Sequence, residues 1–150
     1  MRKPIAVSLL CLFASATVQA AEVTYRQDIR PLWEAKCSAC HGAQSPYLGE
    51  FMQEKDKFKA QMKGPRMDTY ADLIFYIGWP DTGAIMRRLD DGKTKGDGKA
   101  GNMYQYLGAD EAERQKNLGV FKAWVGEGGW TLKKFNELTR EELGAIKVAY

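Results

Sequence analysis

Cys37-Ser38-Ala39-Cys40-His41 is the stretch that decides how this chain is read. It is a C-x-x-C-H run, the spacing at which a c-type haem is attached. Two intervening residues let both sulfurs reach the two vinyl groups on one side of a porphyrin, each forming a thioether. The histidine directly after the second cysteine then turns its imidazole to the iron. Cys37 and Cys40 are therefore read as covalent anchors and His41 as the proximal ligand of one haem c.

Two other uses of a C-x-x-C pair fit less well. A thioredoxin-like dithiol needs a βαβ setting, and the sequence pattern offers none. Zinc wants about four ligands, but outside the motif the chain holds only Cys11 and no second histidine.

The start of the chain reads as an export signal. Arg2 and Lys3 give a positive lead, Ile5 to Val18 is mostly apolar, and Val18-Gln19-Ala20 is a small-residue cleavage site. The expectation is a signal peptide over 1–20, cut before Ala21, with Cys11 removed alongside it. The apolar run is shorter than the roughly 20 residues of a bilayer span, so no membrane span is expected after cleavage. A lipoprotein anchor at Cys11 is disfavoured by the bulky Leu10 before it. An exported chain also suits the chemistry, since bacteria join haem to such motifs outside the cytoplasm. The expected location is the periplasm.

Charge changes its meaning once the leader is set aside. The whole chain has 22 basic and 19 acidic residues, and without Arg2 and Lys3 the balance is 20 against 19. Two haem propionates would bring the mature charge to about −1. No basic run with interleaved aromatics stands out, so nucleic acid is not an expected partner.

Taken in order, 21–150 reads as one domain of helices. Asp28 is placed to cap a helix from Ile29 towards His41, with Pro31 in its first turn and Ile29, Leu32 and Trp33 on one face. A second helix is expected over 48–62, with Met52 and Met62 on its core side, broken by Gly64-Pro65. Asp68 or Thr69 starts a third with Tyr70, Leu73, Ile74 and Ile77 inward. A short strand over 73–77 is the competing reading. Another short helix carries Ile85 and Leu89. Residues 90–101 form a polar Gly/Lys/Asp loop whose spacing does not match a calcium-binding EF-hand. Asp110 caps a long helix with Leu118, Phe121, Trp124 and Val125 on one face. Thr139 to Glu142 reads as a capping box for a last helix over 140–149, within a helical extension that begins at about 130.

With one histidine in the chain, a second histidine ligand is excluded, and methionine is the natural sixth ligand. Met103 is the first choice. It follows a glycine-rich loop, precedes the long helix, and has Tyr104 and Tyr106 to keep water away. Met86, just before Arg87-Arg88, is the alternative; Met67 ranks lower. Arg66, Tyr70, Trp79 and Arg87 are donors of the right type for propionates. Pro46 is the expected carbonyl partner for the other nitrogen of His41.

These features resemble the class I, or mitochondrial-type, monohaem cytochromes c of bacterial periplasms. The likeness rests on the early helix ending in Cys37-Ser38-Ala39-Cys40-His41, on Met103 late in the chain, and on the following helix with Phe121 and Trp124. It covers roughly 25–126. It implies an all-α, cytochrome c-like fold around one covalently attached haem, first and last helices that cross beside it, and His41/Met103 ligation. It also implies transfer of single electrons between periplasmic or membrane-bound redox proteins, not enzymatic turnover. Lys36, Lys63 and Arg66 are candidate steering charges. Two other readings stay open. One is a haem-bearing subunit of a larger oxidoreductase that docks through its tail. The other is a five-coordinate haem protein that binds small gases or peroxide.

Overall fold

Helix begins earlier than the sequence pattern suggests. In the computed structural model, which describes residues 21–150, a π-type turn over Tyr25–Ile29 leads directly into α1, Arg30–Lys36. The expected leader and Cys11 lie outside the described residues. The cap is Thr24, whose hydroxyl accepts from Gln27 N, while Asp28 reaches back to accept from Thr24 N at 2.8 Å. Asp28 is thus inside the first turn and not at its edge. Ile29 and Trp33 are buried, as their spacing predicts. The helix kinks at Cys37 (φ −120°, ψ −27°), and the one-turn α2, Ser38–His41, carries the rest of the motif.

The expected second helix is two. α3 runs Leu48–Gln53 and α4 runs Lys55–Ala60, separated at Glu54 (φ −124°, ψ 41°). The Phe51 and Phe58 rings still stack across the break, 6.3 Å apart. Phe51 stays buried, but Met52 and Met62 are exposed, which corrects their reading as core residues. α5, Tyr70–Ile77, is a helix and not a strand, fixed by a reciprocal Thr69–Asp72 capping box. α6, Ala84–Leu89, buries Ile85, Met86 and Leu89. A 3-10 turn over Tyr104–Leu107 precedes α7, Glu111–Val125. Asp110 caps α7 as expected, accepting from Glu113 N at 2.8 Å, and Leu118, Phe121, Trp124 and Val125 are its buried face. The described residues contain no strand.

α7 crosses the Tyr25–Ile29 turn, with the Tyr25 and Trp124 rings 6.2 Å apart, so the two ends of the fold meet behind the motif. The segment after α7 folds back onto this junction. A 3-10 turn over Phe135–Glu137 and the short α8, Arg140–Gly144, are its only helical pieces. The last helix therefore stops five residues short of the expected 149. Beyond it the backbone is used otherwise: Lys147 N and Val148 N donate to the carbonyls of Val125 and Trp124, and Tyr25 N donates to Ala149 O. Arg87 clamps the start of the tail, donating to the carbonyls of Leu132 and Lys133. Tyr70 donates its hydroxyl to Val148 O at 2.8 Å. Both side chains thus bond to the tail.

The 90–101 loop is pinned at its root. Asp90 is buried and accepts from Gly92 N and Trp130 Nε1. Beside it Asp91 exposes only 3 % of its side chain and pairs with Lys93 at 3.2 Å. Burial pushes the Asp91 carboxyl up. Donation from Gln115 and from the backbone and ammonium of Lys93, with the Lys122 charge, outweighs it and holds the carboxyl at about 2. A depressed native pKa stabilises the fold above the unfolded value and ceases to do so as pH falls through the native one. Between pH 5 and pH 2 the native chain is expected to lose about 2 kcal/mol relative to Asp91→Asn. Guanidinium unfolding of both proteins across that range measures the difference.

Candidate functional site

Cys37, Cys40 and His41 come together on a single helical turn. Cys40 N and His41 N both bond to Cys37 O, at 3.2 and 3.0 Å. Both cysteines are free and half-buried. Burial first, and the neighbouring Cys40 second, push the Cys37 thiol up to about 12. A redox-active C-x-x-C pair needs the opposite, a depressed thiol. Cys37 also packs against the main hydrophobic core.

A later stretch of chain braces this turn. Lys63 Nζ donates to Ala39 O at 2.9 Å. Gly64 N donates to Cys40 O at 2.8 Å and Met67 N to His41 O at 2.9 Å. Ser45, itself buried, donates its hydroxyl to Cys40 O at 2.8 Å. Three consecutive carbonyls of the motif are thereby satisfied from outside its own helix, so the turn is held by tertiary bonds.

The decisive bond is to the imidazole. His41 Nδ1 lies 2.8 Å from Pro65 O. A carbonyl only accepts, so Nδ1 carries the proton and Nε2 is left with its lone pair. Burial holds the imidazole below its ordinary pKa, against the opposing pull of Pro65, which favours a neutral ring able to bind a metal. Pro65, not Pro46, is the acceptor; the Pro46 carbonyl takes Arg66 N instead. Gly64 lies against the ring: a Cβ there would stand 2.1 Å from His41 Cε1. Sequence reading treated Gly64-Pro65 only as a helix breaker. A Gly-Pro pair after the motif is a signal for close backbone approach, but only the fold says to what. The donor set suits a haem: two thiols a turn apart and one oriented nitrogen.

A family model described as PccH Cytochrome c matches residues 24–150. The chain belongs to the PccH cytochrome c family. A solved structure, that of monoheme cytochrome PccH from Geobacter sulfurreducens, is 59% identical, with a TM-score of 0.80. The match covers 87% of this chain and 100% of that one. No curated protein matches. As a PccH-family cytochrome c, the chain is a haem protein of the electron-carrying kind.

The methionines of this PccH-family chain are spread widely. Met86 is fully buried on α6. Met103 is half-buried, packs against the main core and donates its N–H to Arg88 O at 3.0 Å. Met67 is tied by its backbone to His41. Among the expected surface charges, Lys36 pairs with Glu113 and Arg66 with Asp68, both at 2.5 Å. Arg66 also stacks on the exposed Tyr47 ring at 5.1 Å. Trp79 is exposed. Lys63 remains beside the motif, its ammonium on Ala39 O.

Proposed function

We propose that this PccH-family cytochrome carries single electrons through one haem c, of the class I kind, with His41 and Met103 as axial ligands. Cys37 and Cys40 each add S–H across a vinyl C=C, so the attachment needs no leaving group. The bound haem supplies a one-electron ferric/ferrous couple; the chain supplies its anchoring, orientation and shielding. The observation that supports this reading is the His41 Nδ1 bond to Pro65 O, which leaves the Nε2 lone pair available to a metal on the same turn as both thiols.

Placement favours Met103 among the methionines. Met103 stands at the end of the glycine-rich loop, half-buried at the edge of the core, whereas Met86 is fully buried within α6 and its packing. Met67 is held on the His41 side by the bond between their backbones. Sulfur ligation raises the reduction potential relative to a second imidazole. The location proposed is the periplasm, reached through the 1–20 leader, and the partners are periplasmic or membrane-bound redox proteins. No helix among the described residues is long and apolar enough to cross a membrane. Such encounters use small, transient interfaces.

The visible spectrum of the oxidised protein tests the ligand set. A weak far-red band, which reports sulfur on ferric low-spin haem, is expected in the native protein and in Met86→Ala, and is expected to vanish in Met103→Ala. A native protein that lacks the band and binds carbon monoxide rapidly when reduced would instead carry an open iron site.

A further inference from the structure

The loop that delivers Met103 is glycine-rich and long, and such a loop does not hold a side chain in place by itself. Gly92, Gly96 and Gly98 all have positive φ, and Lys93 to Ala100 is exposed. The conformational freedom of this stretch must be offset by bonds at its two roots.

Backbone bonds tie the roots directly, Gly101 N to Asp90 O at 2.7 Å and Met103 N to Arg88 O at 3.0 Å, and one side chain adds a second tie across them. Gln115, half-buried on α7, reaches Asp91 Oδ2 at 3.0 Å and Tyr104 OH at 2.8 Å through the same amide nitrogen. Asp91 opens the loop and Tyr104 follows Met103 directly. Glu111 Oε1 lies 3.0 Å from that nitrogen as well, so two N–H donors are shared among three acceptors, two of which stand at the ends of the loop. The acceptors are themselves fixed. Tyr104 is buried and donates its hydroxyl to Glu111 Oε1 at 2.7 Å. Asp91 takes Lys93 N at 3.1 Å on its other oxygen. The far end of the 3-10 turn is tied to the same helix, since Asn117 donates to Leu107 O at 2.6 Å.

We infer that Gln115 is a positioning residue for the axial sulfur: its amide clasps Asp91 to Tyr104 and so keeps the Met103 loop closed. The inference rests on Met103 being the sixth ligand. It predicts a particular defect. Without the clasp the loop opens more often, and the sulfur leaves the metal site unguarded for a larger fraction of time. An external ligand that binds only the open form then gains apparent affinity in proportion to that fraction.

The test uses the oxidised holoprotein and imidazole, followed by the loss of the far-red band. Gln115→Leu is expected to bind imidazole about tenfold more tightly than the native protein, as loss of two hydrogen bonds implies. Tyr104→Phe, which keeps the buried ring and loses one end of the clasp, should shift it about threefold the same way. Arg87→Leu releases the side-chain bonds to the carbonyls of Thr82, Leu132 and Lys133 without removing any bond of the clasp, and serves as the control. It should lower the melting temperature and leave the imidazole affinity unchanged. The inference is overturned if both clasp variants bind imidazole as the native protein does, or if Arg87→Leu raises the affinity as much as they do. A native protein without a Met103-dependent far-red band defeats the ligand assignment itself, and the clasp with it.

Discussion

Gly64→Ala is expected to give a poorly assembled cytochrome, about 3–5 kcal/mol less stable than the native one. The added Cβ would stand 2.1 Å from His41 Cε1, 2.6 Å from Nδ1 and 2.9 Å from Nε2. These are atoms of a rigid ring, not the end of a flexible side chain. The ring cannot step aside without giving up the Nδ1 bond to Pro65 O. The backbone cannot lift without giving up Gly64 N to Cys40 O and Met67 N to His41 O. Overpacking of this kind costs about 1–3 kcal/mol, and a stranded buried donor costs about as much again. The ratio of haem to protein absorbance in the purified material, with guanidinium unfolding of what assembles, measures both effects. Gly119→Ala is the internal contrast. It adds a Cβ on α7 that meets nothing within 4 Å. It should stabilise the protein by about 0.5–1 kcal/mol through helix propensity alone. If Gly64→Ala assembles and unfolds as the native protein does, the packing of Gly64 on the imidazole has no consequence.

The same pair of residues shows where sequence reading stops. C-x-x-C-H was legible as one turn because its spacing is local: Cys40 N and His41 N both bond to Cys37 O. α7 was legible because its cap and its 3.6-residue period are local. Asp110, Leu118, Phe121, Trp124 and Val125 sit as the pattern places them. The partner of His41 was not legible. Pro65 lies 24 residues away, and only the return of the chain over the motif makes its carbonyl the acceptor. Pro46 offered the same atom type and lay nearer in sequence, and nothing local tells the two apart. Met52 and Met62 failed differently: on the short α3 only the Phe51 side is buried and Met52 beside it faces out, and Met62 lies past the end of α4 at a positive φ of 54°. The tail beyond 144 failed because main-chain bonding to another element leaves no side-chain period to find.

That tail supports the second large effect. Removing Val148–Tyr150 is expected to lower Tm by about 10 °C, the shift that a loss of about 3 kcal/mol produces in a domain of this size. The three residues close the junction between the first and last long helices. Trp124, 1% exposed, donates its indole N–H to Ala149 O at 2.7 Å, and truncation strands that donor. Tyr25 N loses Ala149 O at 2.8 Å, and Tyr70 OH loses Val148 O at 2.8 Å. The Tyr150 ring stacks on Tyr25 at 5.7 Å, meets Tyr70 edge-on at 4.9 Å and lies under the Arg26 guanidinium at 4.4 Å. A stranded indole costs about 1–3 kcal/mol, and each aromatic pair adds about 0.5–1.5. Freed chain entropy returns part of this to the truncated protein. Tyr150→Ala separates the two contributions, since it loses the ring contacts and keeps the backbone bonds; it should fall about halfway. Both variants should keep the far-red band, because the strap bonds Tyr25, Arg26, Tyr70 and the end of α7 and leaves the Lys63–Met67 brace on the motif intact. An unchanged Tm in the truncated protein would mean that the tail lies on the junction without stabilising it. A lost band would mean that the strap, and not the brace alone, holds the turn that carries His41.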